Sequence, residues 1–259
     1  MSTSTSSSRS EVDRRTPLAR AVLAQAVMEA RLLVRSGESL IITLGIPIGV
    51  LVFFSVVDVL PTGDGPAVDF LVPGVIAISV AGTGLVAVAI QTAFERKYGV
   101  LKRLGGTPLP RWGFLAAKGI AVATILVLQT GLIVAIALGG LDWRPEAGAL
   151  AVPVAVLLGA ITCTAIGLLL AGTLRAEATL AVSNALFLVL LVISGVTFDA
   201  GALPDALASF GRALPVGAVA EALRAGFAGD GFAVWPLLTL AGWGAVAIAV
   251  ASRTFRWEP

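Results

Sequence analysis

The chain has 259 residues, 57% of them hydrophobic and only 13% charged, with a mean hydropathy of +0.96 and a formal charge of +2. Soluble domains carry about 25% charged residues, so this composition excludes an ordinary soluble domain and points to a membrane protein. With no histidine and a single cysteine, Cys163, the chain also excludes an internal disulfide, a Cys/His metal site and histidine-based catalysis.

In chain order, residues 1–15 (MSTSTSSSRSEVDRR) read as a disordered cytoplasmic tail, because a secretory leader would carry an apolar run near the start. Residues 16–259 read as one transmembrane domain. Thr16-Pro17 has the form of a helix start, with Thr as N-cap and Pro at the first helical position. The helix expected over 16–36 is amphipathic. Leu23, Ala26, Val27, Ala30, Leu33 and Val34 share one face, and Arg20, Gln25, Glu29, Arg31 and Arg35 the other. Such a helix can lie flat at the inner membrane surface or pack on a soluble partner.

A hydrocarbon core of about 30 Å needs roughly 20 apolar residues. Six segments qualify, near 40–60, 70–93, 114–138, 149–174, 178–198 and 232–251. Arg175 and Glu177 divide the fourth from the fifth. If the N-terminus is inside, 15 of the 18 basic residues are cytoplasmic, and the outer loops keep Arg144, Arg212 and Arg224 against nine acids. The positive-inside rule therefore gives six spans, N-in and C-in.

Small residues recur within the spans: Gly45 and Gly49 in the first, and Gly159, Cys163, Gly167 and Ala171 at intervals of four in the fourth, a pattern suited to close helix packing. Asp58 and Asp69 read as solvated span ends, given the cost of burying a carboxylate in lipid.

Between the second and third spans lies a charged elbow, FERKYGVLKRLGGTPLPRWGFLAAK (94–118), with six basic residues and Glu95. Each charge at a helix centre costs about 2.5–3.5 kcal/mol on insertion scales, so the elbow is expected in water on the cytoplasmic side. Its skeleton is E-x3-G-x4-L-x2-T-P-L-x8-K, formed by Glu95, Gly99, Leu104, Thr107, Pro108, Leu109 and Lys118. Thr107 suits an N-cap for the third span, with Pro108 in its first turn.

That string resembles the permease subunits of type-2 ATP-binding-cassette exporters, in particular an actinobacterial, daunorubicin-resistance-like branch. A second likeness lies in ISGVTF (193–198), Leu203-Pro204, Pro215 and EALR (221–224), with Leu214 where the family often has Asn. The resemblance implies that the elbow is a coupling helix docked on a separate cytoplasmic ATPase, with Glu95, Arg96, Lys97, Gly99, Lys102, Arg103 and Thr107 at or near the contact. It implies two ATPase subunits and a second permease protomer, identical or different. ATP and Mg2+ would be bound through the ATPase and no cofactor by this chain. It further implies a multi-pass protein of the cell membrane, a bacterial inner membrane, and no nucleic-acid partner. Residues 194–227 would form a helical hairpin at the outer leaflet, partly re-entrant or lying on the surface, with Glu221 and Arg224 one turn apart. In that family the cargo path follows the second and fifth spans, which makes Ser79, Thr83, Asn184 and Phe187 candidates for its lining. Interhelical hydrogen bonding, by Gln129 as well, is the other reading of these polar groups.

No Walker A pattern occurs, so the chain has no P-loop of its own. The function expected is an exporter's membrane subunit for an amphiphilic, drug-like or lipid-linked cargo. The alternatives are an exporter permease for polysaccharide or another non-drug cargo, and a stand-alone secondary transporter or channel. The last would need ion-coordinating groups at mid-membrane, and the spans lack embedded acids.

Overall fold

The computed structural model describes residues 18–35, 41–57, 66–104, 110–146, 148, 150–196 and 204–254. The described residues are helical apart from short connections. That is what lipid demands, since each backbone N–H and C=O must be satisfied within its own segment. Helix α1 spans Leu18–Arg35, and a π-helical turn, Ile41–Gly45, leads into α2, Ile46–Val56. Next come α3 (Ala67–Lys97), the short α4 (Val100–Leu104), α5 (Arg111–Gly140), α6 (Ala151–Thr173) and α7 (Ala176–Ile193). The chain continues through α8 (Asp205–Ala213), α9 (Pro215–Phe227) and α10 (Val234–Thr254).

Five helices, α3, α5, α6, α7 and α10, are long and apolar enough to cross a membrane. They are the second to sixth of the expected spans, with ends shifted by a few residues. The expected first span differs: its described apolar helix is only Thr43–Val56, and residues 58–65 lie outside the described set, as does the tail 1–15. The pair α8–α9 is bent by 88° at Leu214 and passes as one broken span or a re-entrant loop. It occupies the segment where the sequence predicts a hairpin. Arg175 is the N-cap of α7, so Leu174 and Arg175 alone separate the fourth and fifth spans.

Helix α3 forms the centre. Val72, Ile76, Val80, Leu85 and Ala89 are fully buried among α2, α5, α6, α7 and α9. Its middle passes through a π-helical stretch, Gly82–Ala87, where it crosses α6 at close range. A Cβ on Gly84 would sit 2.9 Å from the Cβ of Cys163, and one on Gly167 only 2.6 Å from the Leu85 carbonyl oxygen. The small-residue stripe of α6 is therefore a packing seam, of the kind that lets helices approach in lipid. Gln129, buried on α5, donates to the Thr43 carbonyl at 2.7 Å and so serves the π-helical turn before α2. By contrast, α7 and α10 turn most of their side chains outward.

At 31 residues, α3 is about 46 Å long at 1.5 Å per residue, well beyond a hydrocarbon core of about 30 Å. One of its ends must leave the apolar layer. The sequence decides which, because the last turn carries Glu95, Arg96 and Lys97.

Candidate functional site

The C-terminal end of α3 meets α1, the start of α5 and the α6–α7 turn, and charged side chains join them. Lys118, at the start of the third turn of α5, lies 2.7 Å from Glu29 Oε2 of α1 and 3.0 Å from Glu95 Oε2 of α3. Gln25 donates to Glu29 Oε1 at 2.8 Å, and Gln91 donates to Glu95 Oε1 at 2.9 Å. The ammonium also stands 5.3 Å from the ring centre of the fully buried Phe114. Side-chain exposures of 3% for Lys118, 4% for Glu29 and 15% for Glu95 make this a largely buried cluster of one amino group and two carboxyl groups. Removing one partner of a buried pair typically costs about 3–5 kcal/mol, because the remaining charge is stranded.

Next to it, the buried Arg96 donates to the Leu174 carbonyl at the end of α6, and Lys97 pairs with Glu177 of α7 at the surface. Arg96 thus caps a helix C-terminus, where a cation suits both the unsatisfied carbonyls and the macrodipole. Tyr98 and Gly99 then break the helix. Gly99 has φ +73°, a left-handed backbone that glycine adopts without Cβ strain, and no atom lies within 4 Å of where a Cβ would be. The requirement for glycine here is conformational rather than one of space. Beyond it α4 buries Leu101 against the bundle and exposes Val100 and Lys102, while Tyr98 is 69% exposed.

Three expectations change. The elbow does not lie wholly in water: Arg96 and Lys118 are buried, and their charge is met by carboxylates and a carbonyl instead of solvent. Glu29 is not on a water-facing side of α1. It continues the buried stripe Val22–Ala26–Glu29, which packs on Ala116 and Ala117 of α5, whereas Leu23 and Val27 point outward. Helix α5 starts at Arg111 with Pro110 as its N-cap, so the start falls later than a Thr107 cap requires. Thr107 and the side chain of Arg103 lie outside the described residues.

The opposite end of α3 is held differently. Trp143, buried after α5, donates its indole N–H to Asp69 Oδ1 at 2.7 Å and packs edge-on against Phe227 at 4.9 Å. Asp69 is exposed at the start of α3, as expected of a solvated span end, and it also anchors a loop. Arg224 of α9 donates to the Gly195 carbonyl at 2.9 Å and stacks 4.6 Å above the Phe70 ring. Glu221 lines the same small cavity of about 200 Å³, with Ser194 and Arg212.

The four cargo-path candidates do not converge. Ser79 and Thr83 are buried inside the bundle, and Ser79 returns its hydroxyl to the Val75 carbonyl of its own helix. Asn184 faces outward and donates to the Leu180 carbonyl, while Phe187 packs half-buried against the core. The ion cluster was missed by reading α1 alone. Its signal was Lys118, a cation inside an otherwise apolar span, which requires a counter-charge from a neighbour.

Two comparisons with known proteins bear on this arrangement. The family model described as ABC-2 type transporter matches residues 21–228, from within α1 to just past α9. A Bacillus subtilis (strain 168) protein named as a transport permease, YvfS, is 28% identical over 144 residues, 53% of this chain and 56% of that protein. The chain thus matches about half the length of that curated relative.

Proposed function

The chain belongs to the ABC-2 type transporter family of membrane proteins, and we propose that it is the membrane-spanning permease subunit of an ATP-driven exporter. The observation that carries this reading is the charged end of α3. A buried cluster of charged side chains locks α1, α3 and α5 together, and the glycine break beyond it leaves Tyr98 exposed just before the break and Val100 and Lys102 exposed on the short α4 just after it. A rigid base under an exposed projection is what transmitting force from a soluble motor requires. The motor is a cytoplasmic ABC ATPase in two copies, which binds the ATP and Mg2+, and a second permease protomer completes the complex.

In this reading Glu95 and Arg96 are positioning groups that hold the elbow, and Lys97, Gly99, Lys102, Arg103 and Thr107 lie at or near the ATPase. The chain is N-in and C-in, supported by the collection of 15 of its 18 basic residues on one side. The membrane is then a bacterial inner membrane. Nucleotide binding biases two arrangements of the bundle, in the population-shift sense. The cargo is amphiphilic, drug-like or lipid-linked as in the daunorubicin-resistance-like branch, supported by span walls that are almost free of charge.

Cargo-stimulated ATP hydrolysis by the reconstituted permease–ATPase complex tests the proposal. Stimulation that is lost with Lys102→Glu supports it. Transport by the permease alone, with no ATPase present, contradicts it.

A further inference from the structure

We propose that the cavity between α5, α6 and α10 is a binding site for one acyl chain of an anionic phospholipid. The cavity is a groove of about 450 Å³, open along the outer face of the bundle and walled by Trp112, Leu115, Gly119, Ile161, Leu168 and Ile248, among others. It lies apart from the ion cluster, and neither it nor the second cavity is lined by any of the four cargo-path candidates. An apolar cavity of about 150 Å³ already takes up benzene while excluding water. One three times larger, within helices that span lipid, takes a longer hydrocarbon. Space reaches the α5 backbone itself, because a Cβ on Gly119 would meet no atom within 4 Å.

The end of the cavity selects the head group. Trp112, in the first turn of α5 and exposed, shares the lining with Ser252 near the end of α10, and the exposed Arg253 follows directly. Tryptophan beside a cation marks the level where hydrocarbon gives way to head groups, and a cation at that level attracts an anionic head group. A chain seated here supports the helix turn that bears the ion cluster, since Ala116 both lines the cavity and packs against Val22 and Ala26 of α1. Assignment to the inner leaflet rests on the orientation proposed above, but the ligand class does not.

The test is native mass spectrometry of the full chain, purified in mild detergent and exchanged against phosphatidylglycerol or phosphatidylcholine. The wild type is expected to retain one phosphatidylglycerol in preference to phosphatidylcholine. Gly119→Leu, which fills the cavity, should reduce retention about tenfold or more, as loss of two to three buried methylenes implies. Gly131→Leu, at an outward-facing glycine of the same helix with open space around it, should leave retention unchanged. Arg253→Glu should abolish the preference for the anionic lipid while leaving helicity intact. Equal retention of the two lipids, no effect of Gly119→Leu, or displacement of the lipid by a neutral hydrophobic drug would each overturn the proposal. None of these readings involves the ATPase, so failure here leaves the exporter assignment standing, and loss of ATPase coupling leaves the lipid site standing.

Discussion

At one end of α3 three helices are joined by ions: Glu29 from α1, Lys118 from α5 and Glu95 from α3 itself, with almost no exposure to solvent. At the other end the partners are an indole, a phenyl ring and a guanidinium, with Asp69 exposed and Trp143 buried above Phe227. Ionic cohesion in a dry site is all-or-none, because a lone buried charge is worse than no charge. Aromatic packing degrades gradually, since losing one hydrogen bond leaves the rings in contact. In the exporter reading proposed above, a helix held so unequally would move as a rigid unit with its charged end and rock at its aromatic end. That is the behaviour expected of a helix that carries a coupling segment on its charged tip.

The largest expected effect comes from removing the shared cation. Lys118→Met should destabilise the folded chain by about 3–5 kcal/mol, seen as loss of the monodisperse peak on heated size-exclusion chromatography. An effect no larger than that of a surface substitution would erase the contrast between the two ends. Gly99→Ala comes next: it forces a Cβ into the left-handed region at about 1–2 kcal/mol. The cost should fall on α4, so ATPase binding weakens while the thermal transition of the bundle moves little. At the aromatic end, Trp143→Phe keeps the ring stack and loses only the bond to an exposed carboxylate, which gives about 1 kcal/mol by the same thermal assay. A loss equal to that of Lys118→Met would show that both ends are all-or-none. Smallest in stability are Tyr98→Ala and Lys102→Glu, changes at exposed side chains whose cost is expected to stay below that of Trp143→Phe, and these sharpen the comparison by acting mainly on partner binding.

Most of the bundle was legible because apolar runs of span length and their charged interruptions are local properties. Arg175 and Glu177 do divide two helices, and the stripe Gly159–Cys163–Gly167 does pack at close range. The first span is the exception: its described apolar helix, Thr43–Val56, is shorter than its composition suggests, with Pro47 in the first turn after a π-helical turn, and 58–65 lie outside the described residues. What was hidden depends on contacts distant in sequence. Glu29 sits 89 residues from Lys118, and Asp69 sits 74 residues from Trp143. Reading α1 by itself sends Glu29 to water, since nothing within the helix announces a cation on another helix. The spacing of Val22, Ala26 and Glu29 already put that carboxylate on the stripe that packs, and only the partner was missing.

The central claim is that the exposed tip around Gly99, from Tyr98 to Lys102, is where the motor engages, while the charged groups behind it hold the tip in place. Co-purification of the ABC ATPase with the full-length permease tests it most directly, comparing the parent with Tyr98→Ala, Lys102→Glu and Trp143→Phe at matched folding. The account predicts that the ATPase is retained by the parent and by Trp143→Phe and lost from both tip variants. Undiminished retention by Tyr98→Ala and Lys102→Glu would contradict it.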